Sequence, residues 1–117
     1  MTKPIVLVVE DDPKLNEIIN ITLQEDFELE PCVDGDSALA KLKDMVPQIV
    51  VLDLNLPGTT GANVLAYIRS EARLAKTRVI LATADERQAE TLNDDADIIL
   101  LKPVSPSQLR ELALRLR

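Results

Sequence analysis

Apolar residues along this chain alternate between short continuous runs and stripes at helical spacing. Ile5-Val6-Leu7-Val8-Val9 is continuous and rich in β-branched residues, the pattern of a strand covered on both faces. Leu15, Ile18, Ile19, Thr22 and Leu23 then recur at helical spacing on a predicted inner face, with Asp12 placed to cap that helix and Pro13 in its first turn. Phe27 to Val33 sets apolar side chains between charged ones, as in a half-exposed edge strand. Gly35 and Asp36 open a second helix with Ala38, Leu39, Leu42 and Met45 inward, and Pro47 ends it. Ile49-Val50-Val51-Leu52 is a third strand, and Val64, Leu65 and Ile68 mark a third helix. Val79-Ile80-Leu81-Ala82 is a fourth strand, Glu86 to Leu92 a short fourth helix, and Ile98 to Leu101 a fifth strand. Leu109, Leu112, Ala113 and Leu116 share one face of a last helix.

Strand and helix thus alternate five times, with no linker, low-complexity tract or long structureless loop. This predicts an α/β fold: a doubly wound, five-stranded parallel sheet with five helices divided between its faces. The expectation is a single domain over residues 1–117. Periodicity alone does not order the strands.

Composition narrows the function classes. At 46% apolar residues the chain has enough to fill one core. No apolar run approaches the length of a membrane span, and Met1-Thr2-Lys3-Pro4 leads into a strand and not a signal peptide, so a cytoplasmic protein with no membrane partner is expected. A net charge of −7 argues against direct contact with nucleic acid. Phe27 and Tyr67 are the only aromatic residues, which removes stacking platforms and weakens a flavin-carrier reading. Cys32 stands alone and is expected to be a small buried residue. The chain has no histidine, which excludes any triad or metal site built on imidazole.

Open parallel sheets bind ligands at the C-terminal ends of their strands, so the residues there carry the chemistry. Glu10-Asp11-Asp12 follows the first strand, Asp53 the third, Thr83 ends the fourth, and Lys102-Pro103 follows the fifth. Each has an ordinary explanation alone: Asp12 as a helix cap, Glu10 or Asp11 as loop charge, Thr83 as a capping hydroxyl, Lys102 as a surface amine. Together they bring acids, a hydroxyl and an ammonium to one rim. Crowded carboxylates gain proton affinity unless a cation lies among them. All-oxygen ligands suit Mg²⁺ and not zinc. A carboxylate beside Mg²⁺ can attack phosphorus to form an acyl phosphate, with lysine and hydroxyl donors on the equatorial oxygens. Asp53 is the best nucleophile, because Leu54-Asn55-Leu56-Pro57-Gly58-Thr59-Thr60-Gly61 behind it forms a tight loop on that rim.

These motifs resemble the receiver domain of bacterial two-component response regulators over essentially the whole chain. The resemblance rests on Val8-Val9-Glu10-Asp11-Asp12, the Asp53…Pro57…Gly61 spacing, Thr83-Ala84 and Lys102-Pro103. It implies strand order 2-1-3-4-5 and Asp53 as the phosphoacceptor. It also implies Mg²⁺ held by Glu10, Asp11, Asp53 and the backbone carbonyl of Asn55, with Thr83 and Lys102 binding the phosphoryl oxygens. A cis Lys102–Pro103 bond is implied too, and Asn55 and Asp85 fall where the family tunes phosphoryl lifetime. The implied donor is a sensor histidine kinase or phosphotransfer protein, or a small acyl phosphate; a chain without histidine cannot itself be the phosphohistidine. The domain is then a signalling phosphoacceptor with only self-catalysed phosphorylation and dephosphorylation, and not an enzyme acting on other substrates.

Several positions depart from the family pattern. Ile99 stands three residues before Lys102, where receivers usually carry an aromatic residue. The stretch from Thr83 to Lys102 is about one helical turn short, and no glycine precedes Ala96-Asp97. Val104 replaces a bulkier residue. These changes collect on the fourth helix, fifth strand and fifth helix, the family's usual face toward an output domain or partner protein, so an intact acceptor site with an altered readout is expected. The alternative from another class is a phosphorylation-independent interaction module on the same fold. An aspartyl-phosphate phosphatase fits less well, because Asp53-Leu54-Asn55 lacks a second acid two residues on.

Overall fold

The computed structural model describes residues 2–117; Met1, part of the predicted lead into the first strand, lies outside them. The strands are β1 (Ile5–Val9), β2 (Glu28–Cys32), β3 (Ile49–Asp53), β4 (Arg78–Thr83) and β5 (Ile98–Leu101). The helices are α1 (Pro13–Leu23), α2 (Gly35–Asp44), α3 (Gly61–Ser70), α4 (Glu86–Thr91) and α5 (Pro106–Arg115). A single 3₁₀ turn at Ala72–Leu74, which the periodicity did not announce, follows α3. All neighbouring strands are parallel, in the order β2-β1-β3-β4-β5.

Side-chain alternation along the buried strands feeds two cores, one on each face of the sheet. Leu7, Val9, Val50, Leu52, Val79 and Leu81 point toward Ala38 and Leu42 of α2 and Val64, Leu65 and Ile68 of α3. Val6, Val8, Ile49, Val51 and Ile80 point the other way, toward Ile19 and Leu23 of α1 and Leu109 and Ala113 of α5. Phe27 joins this second core fully buried, which stabilises by roughly 2–3 kcal/mol.

Local chemistry sets the helix starts. Asp12 accepts from the amides of Lys14 and Leu15 and Pro13 occupies the first turn, as expected. Asp34 caps α2 through the Ser37 amide, Thr60 caps α3, Asp85 caps α4 and Ser105 caps α5. The hydrogen bond to the Ser37 amide holds the Asp34 carboxyl below its ordinary range.

Three expectations about facing and element bounds need correction. Ile18, predicted inward, is 46% exposed. The buried seam of α1 runs through Asn16, Ile19 and Leu23, and at 3.6 residues per turn Ile18 points about 100° away from Ile19. Val33, predicted as the last residue of an edge strand, lies beyond β2 and is exposed, while Phe27 precedes that strand. Met45 lies past the end of α2 in extended backbone, ahead of Pro47. Among the described residues, no helix is long and apolar enough to cross a membrane.

Candidate functional site

Topology brings the sequence-predicted residues together. The chain leaves β1 toward β2 on one side and leaves β3 toward β4 on the other, so the adjacent C-terminal ends of β1 and β3 border the crevice where the winding reverses. Register aligns the parts: Val9 pairs with Leu52, so Glu10 follows on one strand level with Asp53 on the next. Asp53 pairs with Ala82, one residue before Thr83. Lys102 donates its backbone N–H to the Thr83 carbonyl, which seats it at the end of β4.

One carboxylate oxygen from each of Glu10, Asp11 and Asp53 lies within 4.8 Å of the other two. Glu10 is only 2% exposed and Asp53 only 4%, whereas Asp11 is open to solvent. The Lys102 ammonium donates to Glu10 Oε1 at 2.9 Å and to Asp53 Oδ2 at 3.2 Å. The remaining oxygens are met by backbone: the Asp12 amide donates to Glu10 Oε2 and the Asn55 amide to Asp53 Oδ1. Every oxygen of the two buried carboxylates therefore has a donor, as buried charge requires.

Charge is still unbalanced, since three carboxylates face one ammonium. Burial raises the Glu10 pKa, and the nearby Asp53 charge adds to this against the opposing hydrogen bonds from Lys102 and the Asp12 amide. Burial would lower the Lys102 pKa, but the hydrogen bonds and charges of Glu10 and Asp53 outweigh it, and the net direction is upward. The ammonium is thus a fixed cation. An oxygen-only cluster with surplus negative charge and one open, solvent-facing member matches what a hard divalent cation requires. Among the described residues, neither cysteine nor histidine joins this cluster: Cys32 lies buried at the end of β2, outside it, and the chain has no histidine.

The other predicted residues occupy the same rim in different ways. Thr83 is fully buried, and its hydroxyl oxygen accepts from the Asp85 amide at 3.0 Å. Asn55 has an exposed side chain and takes part through its backbone. The Lys102–Pro103 bond is cis. The loop behind Asp53 is anchored by buried Leu54 and Leu56 and closed where the Gly61 amide donates to the Leu54 carbonyl. A β-carbon at Gly61 would overlap the Asp53 carbonyl oxygen, so only glycine lets α3 begin this close to the strand end.

One contributor was missed. Asn16 is buried, and its Nδ2 donates to the carbonyls of Glu10 at 2.9 Å and Cys32 at 3.0 Å, tying the ends of β1 and β2 beneath Glu10. Its only signal in sequence is a polar residue one step from Leu15 on an otherwise apolar stripe.

Comparison with known proteins agrees with this geometry. The family model described as the response regulator receiver domain matches residues 6–114. The DNA-binding response regulator MtrA of Mycolicibacterium smegmatis is 34% identical over 108 residues, covering 89% of this chain and 46% of that protein. The chain spans about half the length of such relatives. Among solved structures, the chemotaxis response regulator CheY4 of Vibrio cholerae superposes with a TM-score of 0.90 at 26% identity, covering 99% of this chain and 100% of that one. The response regulator TrrA of Thermotoga maritima, in complex with Mg²⁺ and a beryllium fluoride, gives 0.87 at 29% identity with complete coverage of both. By sequence, strand order and the acids gathered at its strand ends, this chain belongs to the response regulator receiver domains of two-component systems.

Proposed function

We propose that residues 1–117 act as one phosphoacceptor unit in which Asp53 takes a phosphoryl group in a Mg²⁺-dependent reaction. The observation that carries this is the Lys102 ammonium held between buried Glu10 and Asp53, beside the exposed carboxylate of Asp11. Asp53 is the acid placed to attack: it ends a central strand, is nearly buried, and is oriented by the Asn55 amide and the Lys102 amine. One of its carboxylate oxygens forms a bond to phosphorus as the donor's P–N bond breaks, and the imidazole of the donor phosphohistidine leaves. Acetyl phosphate serves in the same way with loss of acetate.

Glu10, Asp11, Asp53 and the Asn55 carbonyl are the groups that would hold Mg²⁺, which when bound offsets the surplus negative charge and screens the incoming phosphate. Lys102 then moves its hydrogen bond from the free carboxylate to a phosphoryl oxygen, and the Thr83 hydroxyl donates a hydrogen bond to another. Hydrolysis of the acyl phosphate by water, with Asn55 and Asp85 flanking the approach, returns the resting state. Turnover is thus confined to the protein's own aspartate. TrrA in complex with Mg²⁺ and a beryllium fluoride supports the metal and phosphoryl assignments for this similar chain.

The donor is a sensor histidine kinase or a histidine phosphotransfer protein in the cytoplasm. The readout is the α4–β5–α5 face, with Ile99 half-buried in β5 in place of an aromatic side chain and α4 only six residues long. A net charge of −7 speaks against this chain itself binding DNA, although relatives of twice its length are named as DNA-binding. Intact-mass spectrometry after incubation with acetyl phosphate and Mg²⁺ tests the proposal. Wild type gains one phosphoryl mass, while Asp53→Asn, or wild type in excess EDTA, gains none. An unmodified wild type would favour a phosphorylation-independent interaction module instead.

A further inference from the structure

Outside the acidic rim, two segments of main chain approach each other unusually closely. The start of α2 meets the far end of the loop between β3 and α3. A β-carbon at Gly35 would overlap the backbone carbonyl of Thr59, so the two main chains touch where any other residue would hold them apart. The Thr59 hydroxyl donates to Asp36 Oδ1. Asp34, on the other side of the glycine, is committed to capping α2 through the Ser37 amide. The three residues Asp34-Gly35-Asp36 therefore hold a helix start and a loop in one fixed relation.

That loop carries the Asn55 backbone, whose amide orients Asp53. Its near end is fixed by Leu54, Leu56 and the closure from Gly61 to Leu54. Between Leu56 and Gly61 the tie to the rest of the fold is the contact with α2. We infer that Gly35, Asp36 and Thr59 form a clasp that positions the Asn55 segment beside Asp53 and so sets the affinity of the acidic rim for Mg²⁺. None of the three needs to touch the metal; they act through the loop, as outer partners of metal ligands do. The inference rests on the Mg²⁺ site proposed above.

Thr59→Val removes the hydroxyl donor without changing charge or volume appreciably, and Thr59→Ser keeps it. Mg²⁺ binding is read by calorimetry and by NMR titration of the Asn55 amide, alongside metal-free hydrogen exchange of the 57–61 amides. The expected result for Thr59→Val is faster exchange in the loop and Mg²⁺ affinity weaker by roughly tenfold, at the low end for an outer partner. Thr59→Ser should bind as wild type does. Equal Mg²⁺ affinity in Thr59→Val and wild type would overturn the clasp while leaving the metal site intact. A wild type that binds no Mg²⁺ would instead remove the site itself, and the clasp's positioning role with it. The first failure appears only in the variant, the second already in wild type.

Discussion

Glu10 shows how one residue records the conflict built into the rim. Its carboxyl is buried beside Asp53, and burial raises its proton affinity above the ordinary value of 4.5 despite the Lys102 ammonium. A raised folded-state pKa means the native protein keeps this proton to higher pH than the unfolded chain does. Its contribution to stability is fully present below 4.5 and is lost as pH rises through the folded value. Lys102 behaves with the same sign but at the alkaline end, losing its contribution only as pH climbs past 10.5 toward its own raised value. In metal-free urea titrations, Glu10→Gln should therefore gain stability relative to wild type as pH rises from 4.5 toward neutrality. A difference that stays flat over that range would show that Glu10 does not titrate as argued. The strand-end acids and the amine were legible in sequence because each follows an apolar run. Asn16 and the Asp36–Thr59 pair were not, because their roles arise from chain approaches that no local pattern encodes.

Among the elements, the buried strands were the easiest to read and the exposed margins the hardest. β1, β3 and β4 are short apolar runs covered on both faces, β5 is an apolar run at the sheet edge with Leu101 exposed, and the structure returns each within a residue or so. α1 was found but misfaced at Ile18, since isoleucines at 18, 19 and 21 offer more apolar directions than the sheet can cover. Strand order came from the resemblance and agrees with the pairing. The elements on which the proposed readout depends are α4 and β5. Ile99 packs its partly buried side chain against the core that also holds Leu92, so β5 lacks a ring able to swing between outward and inward positions. Amide shift mapping with Mg²⁺ and beryllofluoride should move Glu10–Asp12, Asp53–Asn55, Thr83–Asp85 and Lys102. On α4, β5 and α5 the shifts should depart from the pattern of receivers that carry the aromatic residue. An ordinary aromatic-receiver pattern on that face would argue against an altered readout.

Across the whole molecule, folding and chemistry draw on the same arrangement. Two cores on opposite faces hold the sheet, and four strand ends, those of β1, β3, β4 and β5, deliver residues 10, 11, 53, 83 and 102 to one lip although they span most of the sequence. The proposed phosphorylation would add roughly −1.5 to −2 charge at that lip, on a chain that already carries −7. In the proposed reaction, Lys102 and a divalent cation held by the rim would make such a charge tolerable in a nearly buried position. The central claim is that the added group sits on Asp53 itself. Borohydride reduces an aspartyl phosphate to homoserine, so treating the acetyl phosphate and Mg²⁺ reaction with borohydride and sequencing its peptides by mass spectrometry locates the acceptor directly. The account predicts homoserine at position 53 and nowhere else, dependent on Mg²⁺. Homoserine at position 11 or another aspartate, or a reduced glutamate, with Asp53 unchanged, would contradict it.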